Sequence, residues 1–347
     1  MALTGQAGFA RGARSTLRRT LIVCLGLLAG LLLIIVAASV IGAERLPFGS
    51  SLCALFTNGS SSCGLTSEQS AILFNIRLPR ILLAASVGAS LATAGAGYQA
   101  LLRNPLAEPY LLGVSNGAAV GTMVALVFFG AENEWMRPLM AFAGALFSTF
   151  LVYRLARGRT GASPEKLILA GVIVTTFLSS AIVFITGLMD ATRIRSFTFW
   201  LLGDLSGASS SMLTVAIIAA IVGAILLTLH ARSLNLLMLG ERDAFDLGVE
   251  VGRVRLIVFL SASLLVGASV ASSGSVGYVG LVVPHLVRLS IGSDNRTMIP
   301  AAALSGALFV IVADTAARTV IAPRELPVGA ITALIGAPLF VFLLRRG

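Results

Sequence analysis

Charge is what this sequence lacks most. Only 12% of its 347 residues are charged and 57% are hydrophobic, whereas a soluble globular domain is about one quarter charged. It has two histidines and three cysteines and no Cys-x-x-Cys or His-Glu-x-x-His sequence, so we expect no metal or other cofactor bound by this chain. It also has no Gly-x-x-x-x-Gly-Lys-Ser/Thr loop, which excludes ATP binding by a P-loop.

Lysine is almost absent, and this bears on the meaning of the net charge of +10. Arginine supplies 24 of the 25 basic residues, and these arginines cluster in short gaps between apolar runs. The positive-inside rule for membrane proteins explains that distribution more simply than nucleic-acid binding. We therefore expect no nucleic-acid partner and a chain in contact with membrane lipid.

Long apolar runs are the main feature that is present. Each of ten runs is interpreted as a membrane span, for which roughly 20 residues suffice. They lie at about 21–43, 79–102, 110–130, 138–153, 165–188, 211–229, 254–273, 276–291, 298–320 and 328–344. The first run is too long for the core of a cleaved signal peptide. The sequence predicts an all-α polytopic membrane protein, a single transmembrane domain over 1–347 with a tail at 1–20.

The basic residues also predict the orientation. With the N-terminus inside, 17 of them lie in cytoplasmic segments and 8 lie outside. This places both termini in the cytoplasm. Cys53 and Cys63 then share one outside loop, where a disulfide and two unpaired thiols both remain open.

The sequence contains a weak internal repeat. Small residues recur at every fourth position in two stripes that lie 179 residues apart, Ala84, Gly88, Ala92, Ala96 and Ser263, Gly267, Ala271, Ser275. Such stripes let helix backbones approach closely. The copies lie five spans apart, an odd number that reverses their direction. We therefore predict an inverted repeat, with repeat one at about 72–190 and repeat two at about 253–345, an architecture typical of transporters.

The same offset pairs two helix breaks. It maps Pro105 onto Pro284 and Gly113 onto Gly292, and a proline ends or kinks a helix because it lacks an N–H. We interpret the two regions as the broken elements of the repeats, although a plain tight turn at the first remains the alternative. The candidate broken-helix residues are Asn104, Pro105, Gly113, Pro284 and His285.

The segment from His230 to Arg255 is too apolar for a solvated linker and too interrupted to span a membrane. It fits short amphipathic helices joined at Gly240. Such helices lie on a lipid surface or dock a cytosolic partner. The partner is favoured, because anionic lipid would repel acids such as Glu241 and Asp243.

Few ionisable residues lie at positions that suggest a catalytic or binding role. Asp314 is the carboxylate that lies well inside a predicted span, a position that is costly and usually functional, although it could simply bond to a neighbouring helix. Arg77, Arg80 and Arg318 lie near the outside edge, where they either anchor the interface or bind carboxylates of a soluble partner.

Four stretches, in this order and spacing, resemble the permease family of bacterial ABC importers for vitamin B12, ferric siderophores and haem. They are LPRILLAASVGASLATAGAGYQALLRNPLAEPYLLGVSNGAAVG, LNLLMLGERDAFDLGV, GSVGYVGLVVPHLVR and ELPVGAITALIGAPLFVFLL. The resemblance extends from about residue 20 to 345. It implies a homodimer of ten-span permeases in the bacterial cytoplasmic (inner) membrane. Two cytosolic ATPase subunits, which bind ATP and Mg, and a periplasmic or lipid-anchored substrate-binding protein would be its partners. The chain itself would then not be an enzyme.

The resemblance also implies residue roles. Docking of the binding protein would fall on Arg77, Arg80 and Arg318. Coupling to the ATPase would fall on Leu236, Leu237, Leu239, Gly240, Glu241, Ala244, Leu247 and Gly248. The cytoplasmic gate would fall on Ala162, Ser163 and Pro164, where Pro164 departs from the small hydroxyl pair that relatives often have. The fifth and tenth spans would line the passage.

The expected function is that of a permease subunit in an ATP-driven importer for an iron chelate (ferric siderophore or haem) or cobalamin. The alternative is an ion-gradient-driven secondary transporter with inverted repeats, which would depend on Asp314. A membrane-embedded enzyme is a third class, and the sequence offers no catalytic constellation for it.

Overall fold

The computed structural model describes residues 2–42, 44, 46–57, 63–129, 135–158 and 161–346, and it describes only the backbone of 2–15, 161, 344 and 346. The helices are α1 (Ala2–Val40), α2 (Phe48–Thr57), α3 (Ser67–Ala71), α4 (Leu78–Leu101), α5 (Val114–Phe128), α6 (Met136–Ala156), α7 (Pro164–Thr186), α8 (Ala191–Leu201), α9 (Ser210–Leu229), α10 (Ala231–Leu239), α11 (Glu241–Asp246), α12 (Val251–Ser273), α13 (Val279–Ile291), α14 (Asn295–Thr319) and α15 (Val328–Arg346). A π-helical stretch, Ile72–Arg77, leads into α4, and a 3₁₀ turn, Pro109–Leu112, precedes α5. Two short antiparallel strands, β1 (Arg157–Gly158) and β2 (Gly161–Ala162), precede α7.

The predicted spans coincide with apolar helices. Within the described residues, seven helical stretches are long and apolar enough to cross a membrane: Thr16–Val40, Ser67–Leu101, Met136–Ala156, Pro164–Thr186, Ser210–Leu229, Val251–Ser273 and Asn295–Thr319. The three other predicted spans coincide with the shorter apolar helices α5, α13 and α15. The predicted fold class, a polytopic all-α membrane protein of about ten transmembrane helices, is confirmed.

Some boundaries differ from the prediction. Helix α1 begins at Ala2, so the backbone of the expected tail continues the first span as a helix. Residues 43 and 130, the expected ends of the first and third spans, lie outside the described residues.

Helix α4 is the centre of the bundle, and glycine makes that possible. The backbones of α4 and α14 touch at Gly88 and Gly306, so that a methyl group on Gly88 would overlap the Gly306 carbonyl oxygen. The same relation holds between Gly95 of α4 and Gly280 of α13. Small residues are the usual means of close helix approach in lipid, because apolar tails provide no hydrophobic drive for association.

The second small-residue stripe packs in an equivalent way. Gly267 corresponds to Gly88 at the 179-residue offset, and a methyl group on Gly267 would lie 3.2 Å from Cβ of Ala145 on α6. Thus α4 packs on α14 and α12 packs on α6, each through a glycine of its stripe. The two stripe helices also meet each other, because the Tyr98 hydroxyl lies 2.5 Å from Oγ of Ser263. These contacts agree with the predicted repeat, whose boundaries stay a prediction.

The second helix break lies earlier than predicted. Pro284 and His285 are inside α13 rather than at a break, and the chain turns instead between Gly274 and Tyr278, whose φ angles are +68° and +65°. A proline at position 284 leaves the carbonyl of Gly280 without its helical donor, and this carbonyl lies against Gly95 instead. The missing N–H therefore frees a backbone group at a close helix contact, which a sequence pattern does not reveal.

The 179-residue offset holds for the two small-residue stripes but not for the segments that follow them. Gly113 precedes α5 at its N-terminus, whereas Gly292 follows α13 at its C-terminus, so the predicted equivalence of these two glycines is wrong. The helices that follow the two breaks begin at Val114 and Val279, an offset of 279 − 114 = 165. Repeat two has the shorter connection between its helices.

Cys53 and Cys63 form a disulfide, with Cα atoms 5.7 Å apart. Of the two alternatives left open by the sequence, the structure has the bridge. It ties the middle of α2 to the chain just before α3.

The glycine contacts predict a sharp difference between two Gly→Ala variants. Gly95→Ala forces apart two backbones, and overpacking of this kind costs about 1–3 kcal/mol. Gly26 of α1 has nothing within 4 Å of the added methyl group, so Gly26→Ala should leave stability unchanged or slightly raised. Thermal unfolding in detergent measures both. Equal melting temperatures for the two variants would contradict the proposed packing.

Candidate functional site

The segment predicted to couple to a partner consists of two short helices, as expected. Helices α10 and α11 meet at Gly240, whose φ of +147° strains any other residue. Within this segment, Leu237 and Ala244 face the bundle and are buried, and Leu236 is half-buried. We call this end of the molecule the α10–α11 end.

The outer side of this segment is apolar. Leu239, Phe245 and Leu247 are 69%, 70% and 62% exposed, and Gly248 beside them is exposed with φ +85°. Short helices with charged residues between their leucines do not span a membrane. Because this segment cannot span the membrane, its exposed apolar side chains indicate a contact with another protein or with the lipid surface.

Asn235 ties α10 to the start of α14. Its side-chain amide nitrogen donates to Oδ1 of Asp294 at 2.7 Å, and its oxygen accepts from the Asn295 backbone N–H at 2.9 Å. Hydrogen bonds from Arg296 and Asn235 lower the pKa of Asp294 to about 2. The carboxylate is therefore ionised at physiological pH, and α10 is held to the bundle.

Glu241 joins three parts of the molecule. It forms ion pairs with Arg255 at the start of α12 (2.5 Å) and with Arg103 after α4 (3.7 Å). The Arg255 side chain is only 8% exposed, and it also donates to the backbone carbonyl of Ala162. One buried guanidinium thus connects α11 to the segment that the sequence analysis assigned to a gate.

The gate segment has a local structure that explains its proline. Ala162 pairs with Arg157 in the small β-hairpin. Ser163 then caps α7, because its hydroxyl accepts from the backbone N–H of Lys166 at 3.4 Å. Pro164 follows at the first helical position, where the absent N–H costs nothing. Pro164 therefore replaces a hydroxyl without disturbing the helix start.

The polar stretch after α4 forms an ordered connection. Asn104 closes a turn by accepting from the N–H of Leu106 at 2.9 Å, and Pro105 is exposed. Gly113 ends the 3₁₀ turn with φ +77° and packs against Ser148 of α6. The Gly113 carbonyl accepts the Gly117 N–H of α5 at 2.9 Å and also the Ser148 hydroxyl at 2.8 Å, so this second bond ties α6 to the start of α5.

The two broken connections meet in the middle of the bundle. The Tyr110 hydroxyl donates to the Val276 carbonyl at 3.0 Å and accepts from the Val276 N–H at 3.1 Å. The Glu108 carboxylate accepts the backbone N–H of Tyr278. Side chains from the first connection therefore satisfy the unpaired backbone of the second. The sequence predicted two breaks but not that they bind each other.

Each connection contains one strained residue. Arg103 has φ +52° and Tyr278 has φ +65°, and they are the non-glycine residues with positive φ in the described part of the chain. Such conformations cost about 1–3 kcal/mol and persist where the surroundings enforce them. Glu108 binds the backbone N–H of Tyr278, whereas Glu241 reaches Arg103 only through a partly exposed side-chain ion pair at 3.7 Å.

The opposite end of the molecule carries the arginines predicted to dock a soluble protein, and they are buried. Arg77 is 5% exposed and donates to the carbonyls of Ser39 and Val40 at 3.0 and 2.9 Å, as well as to that of Glu44. It therefore binds the last carbonyls of α1, a favourable place for a cation. A location at the exposed edge was expected, and the structure gives this side chain an internal partner instead.

Arg80 and Arg318 share one acid. Nε of Arg80 lies 2.9 Å and Nε of Arg318 3.0 Å from the two oxygens of Asp314, whose side chain is 1% exposed. A second acid, Glu325, binds Nη1 of Arg80 at 2.7 Å and is 49% exposed. Asp314 thus bonds to the neighbouring helix α4 through Arg80, which was one of the two interpretations of this residue. Docking at these arginines remains a prediction.

Sequence reasoning missed the residues that act by tertiary pairing. Arg255 counted only toward orientation, and Glu108, Tyr110 and Glu325 were not singled out. An arginine at the second turn of an apolar helix is a usable signal for a buried partner. Nothing in the sequence around Tyr110 indicates the contact with Val276.

Known proteins resemble this chain over most of its length. The cobalamin import system permease protein BtuC of Halobacterium salinarum is 43% identical over 282 residues, which cover 81% of this chain and 75% of that protein. The hemin transport system permease protein HmuU of Yersinia pestis is 43% identical over 285 residues, covering 79% of this chain and 83% of that protein. A solved inward-facing conformation of a metal-chelate type ABC transporter has a TM-score of 0.81 and 32% identity, covering 94% of this chain and 100% of that one.

A family model agrees with these relatives. The model of the FecCD transport family matches residues 30–346, which include the α10–α11 segment, the gate segment and both broken connections. This chain belongs to the FecCD transport family.

Proposed function

We propose that this chain is the transmembrane permease subunit of an ATP-driven ABC importer that takes up an iron chelate (ferric siderophore or haem) or cobalamin. Relatives named for cobalamin and hemin transport support this cargo class. The observation that carries the ATP-driven reading is the exposed apolar α10–α11 segment, which is linked by Glu241 and Arg255 to the gate segment. The ion-driven alternative gains nothing from Asp314, since two arginines already pair with it.

The α10–α11 segment would dock the ATPase subunits, which bind ATP and Mg. Leu239, Phe245 and Leu247 present about two-thirds of their surface to the outside. Burial of such side chains supplies the main favourable term in association. The acids Asp243 and Asp246 on the same segment would be repelled by an anionic lipid surface, and they favour a protein partner.

Transmission to the gate would pass through Arg255. When an ATPase subunit pushes α11, Glu241 moves with it and pulls the guanidinium that holds the Ala162 carbonyl. Because Asn235 fixes α10 to α14, the push is delivered at α11 rather than lost in movement of the whole segment. Ala162, Ser163 and Pro164 then shift with the start of α7.

Homodimerisation would cover α7 and α15, and the passage would lie between the two copies. The exposed side of α7 carries hydroxyls, Thr176, Ser179 and Ser180, among its apolar residues. The exposed side of α9, in contrast, consists of residues such as Ile218, Ile221 and Ile225. Hydroxyls on an exposed face fit a partly hydrated passage better than lipid tails.

The substrate-binding protein would dock at the opposite end, on the surface of Arg80. All three arginines are buried, but Arg77 and Arg318 do not line the cavity at this surface and would support it from beneath. The guanidinium of Arg80 lines an open cavity of about 190 Å³ together with Phe199, Asp204 and Glu325. A carboxylate of the binding protein can reach this cation from outside.

The link through Arg255 predicts that Glu241→Gln uncouples hydrolysis from transport. This variant replaces a charged acceptor by a neutral one and weakens the bond to Arg255 by about 1 kcal/mol. Cargo taken up per ATP hydrolysed should fall roughly five-fold, while hydrolysis continues. The complete complex in proteoliposomes, with haemin, cobalamin and a ferric hydroxamate as cargo, provides the measurement.

Glu250→Gln is the matched control for this experiment. Glu250 pairs with Arg253 at the same end of the molecule, but both side chains are 74% exposed and 3.7 Å apart, so this pair contributes little. A transport-to-hydrolysis ratio that is equal in the two variants would remove Arg255 from the coupling route.

Cytoplasmic termini place the Cys53–Cys63 loop outside, and this orientation can be tested by labelling. In intact spheroplasts, a membrane-impermeant maleimide should label Cys53 and Cys63 only after reduction of their disulfide. Cys24, inside the membrane-spanning part of α1, is an internal control that should stay unlabelled. If labelling of the pair requires lysis of the spheroplasts, the orientation is reversed.

A further inference from the structure

Arg80 is held by two acids that differ sharply in burial. Asp314 is 1% exposed and fixed between two helices, whereas Glu325 is 49% exposed and lies on the irregular chain between α14 and α15. Arg80 itself is only 7% exposed. The outer side of its guanidinium is therefore occupied by a side chain that can leave, and the inner side by one that cannot.

We propose that Glu325 occupies, in the undocked permease, the carboxylate site of Arg80 that an acidic group of the substrate-binding protein takes on docking. This inference rests on the docking proposed above. Nη1 of Arg80 bonds to Glu325 at 2.7 Å, the geometry that an incoming carboxylate would adopt. An incoming acid exchanges one charged hydrogen bond for another, so Arg80 is never left unpaired.

Burial also explains why the exchange is easy. Glu325 is half-exposed and returns to water when it leaves, whereas loss of the buried partner Asp314 would be strongly destabilising. Glu325 lines an open cavity of about 190 Å³ with Arg80, Phe199 and Leu326, and its departure would enlarge this cavity next to the guanidinium. Asp314 meanwhile keeps Nε of Arg80 at 2.9 Å and so keeps the guanidinium in place. Glu325 competes with the partner, and its removal should tighten docking.

Chemical modification of Arg80 tests the site without the partner. In the complete permease–ATPase complex, Glu325→Gln should raise the rate at which p-hydroxyphenylglyoxal modifies Arg80, followed by mass spectrometry of its peptide. Acetate should slow this modification in Glu325→Gln more than in the unchanged protein, because the carboxylate site is then vacant. The control is Glu68→Gln, which removes an exposed acid on α3 and should change neither rate.

Docking of the cognate substrate-binding protein tests the competition. At low ionic strength Glu325→Gln should tighten binding up to about five-fold relative to Glu68→Gln, and the gain should vanish near 1 M salt. The proposal would be overturned if Glu325→Gln had the same rate of Arg80 modification and the same affinity for the binding protein as Glu68→Gln. Weaker binding by Glu325→Gln would also overturn it. Arg80→Gln distinguishes failure of the docking assignment from failure of the competition. If the binding protein binds Arg80→Gln as tightly as the unchanged protein, Arg80 is not a docking residue. If Arg80→Gln weakens binding but Glu325→Gln does not tighten it, Arg80 is a docking residue and only the competition by Glu325 is ruled out.

Discussion

Backbone contact at glycine is the constraint on which the rest of this structure depends. Gly88 and Gly95 let α4 touch α14 and α13 with no side chain between them. In a lipid environment, where apolar surface gives helices little reason to associate, such close packing replaces the hydrophobic effect as the source of cohesion. The contacts leave α4 little freedom, so a conformational change must move elements around it rather than bend it.

Polar groups link the elements around this centre. The breaks in the two repeats bind each other through Tyr110 and Glu108, and the α10–α11 end is linked to the gate segment by Arg255. Both strained residues, Arg103 and Tyr278, lie in these breaks. A rigid glycine-packed centre with charged links at its ends can transmit a push from one surface to another, as the proposed coupling requires.

Features of the fold that depend on a short-range sequence pattern could be predicted from the sequence. Apolar runs gave the spans, and Gly240 gave the joint between α10 and α11, because only glycine adopts its φ easily. Pairing across the fold could not be predicted in this way. Arg77 looks like an edge residue until the α1 carbonyls appear beside it, and Pro284 looks like a break although it lies inside a helix whose freed carbonyl meets Gly95.

The most direct measurement of the central claim is uptake by purified protein in liposomes, with haemin, cobalamin and a ferric hydroxamate as cargo. The account predicts accumulation against a gradient only when the ATPase subunits, the substrate-binding protein and ATP are present together. Accumulation by this chain alone, driven by a proton or sodium gradient, would contradict it.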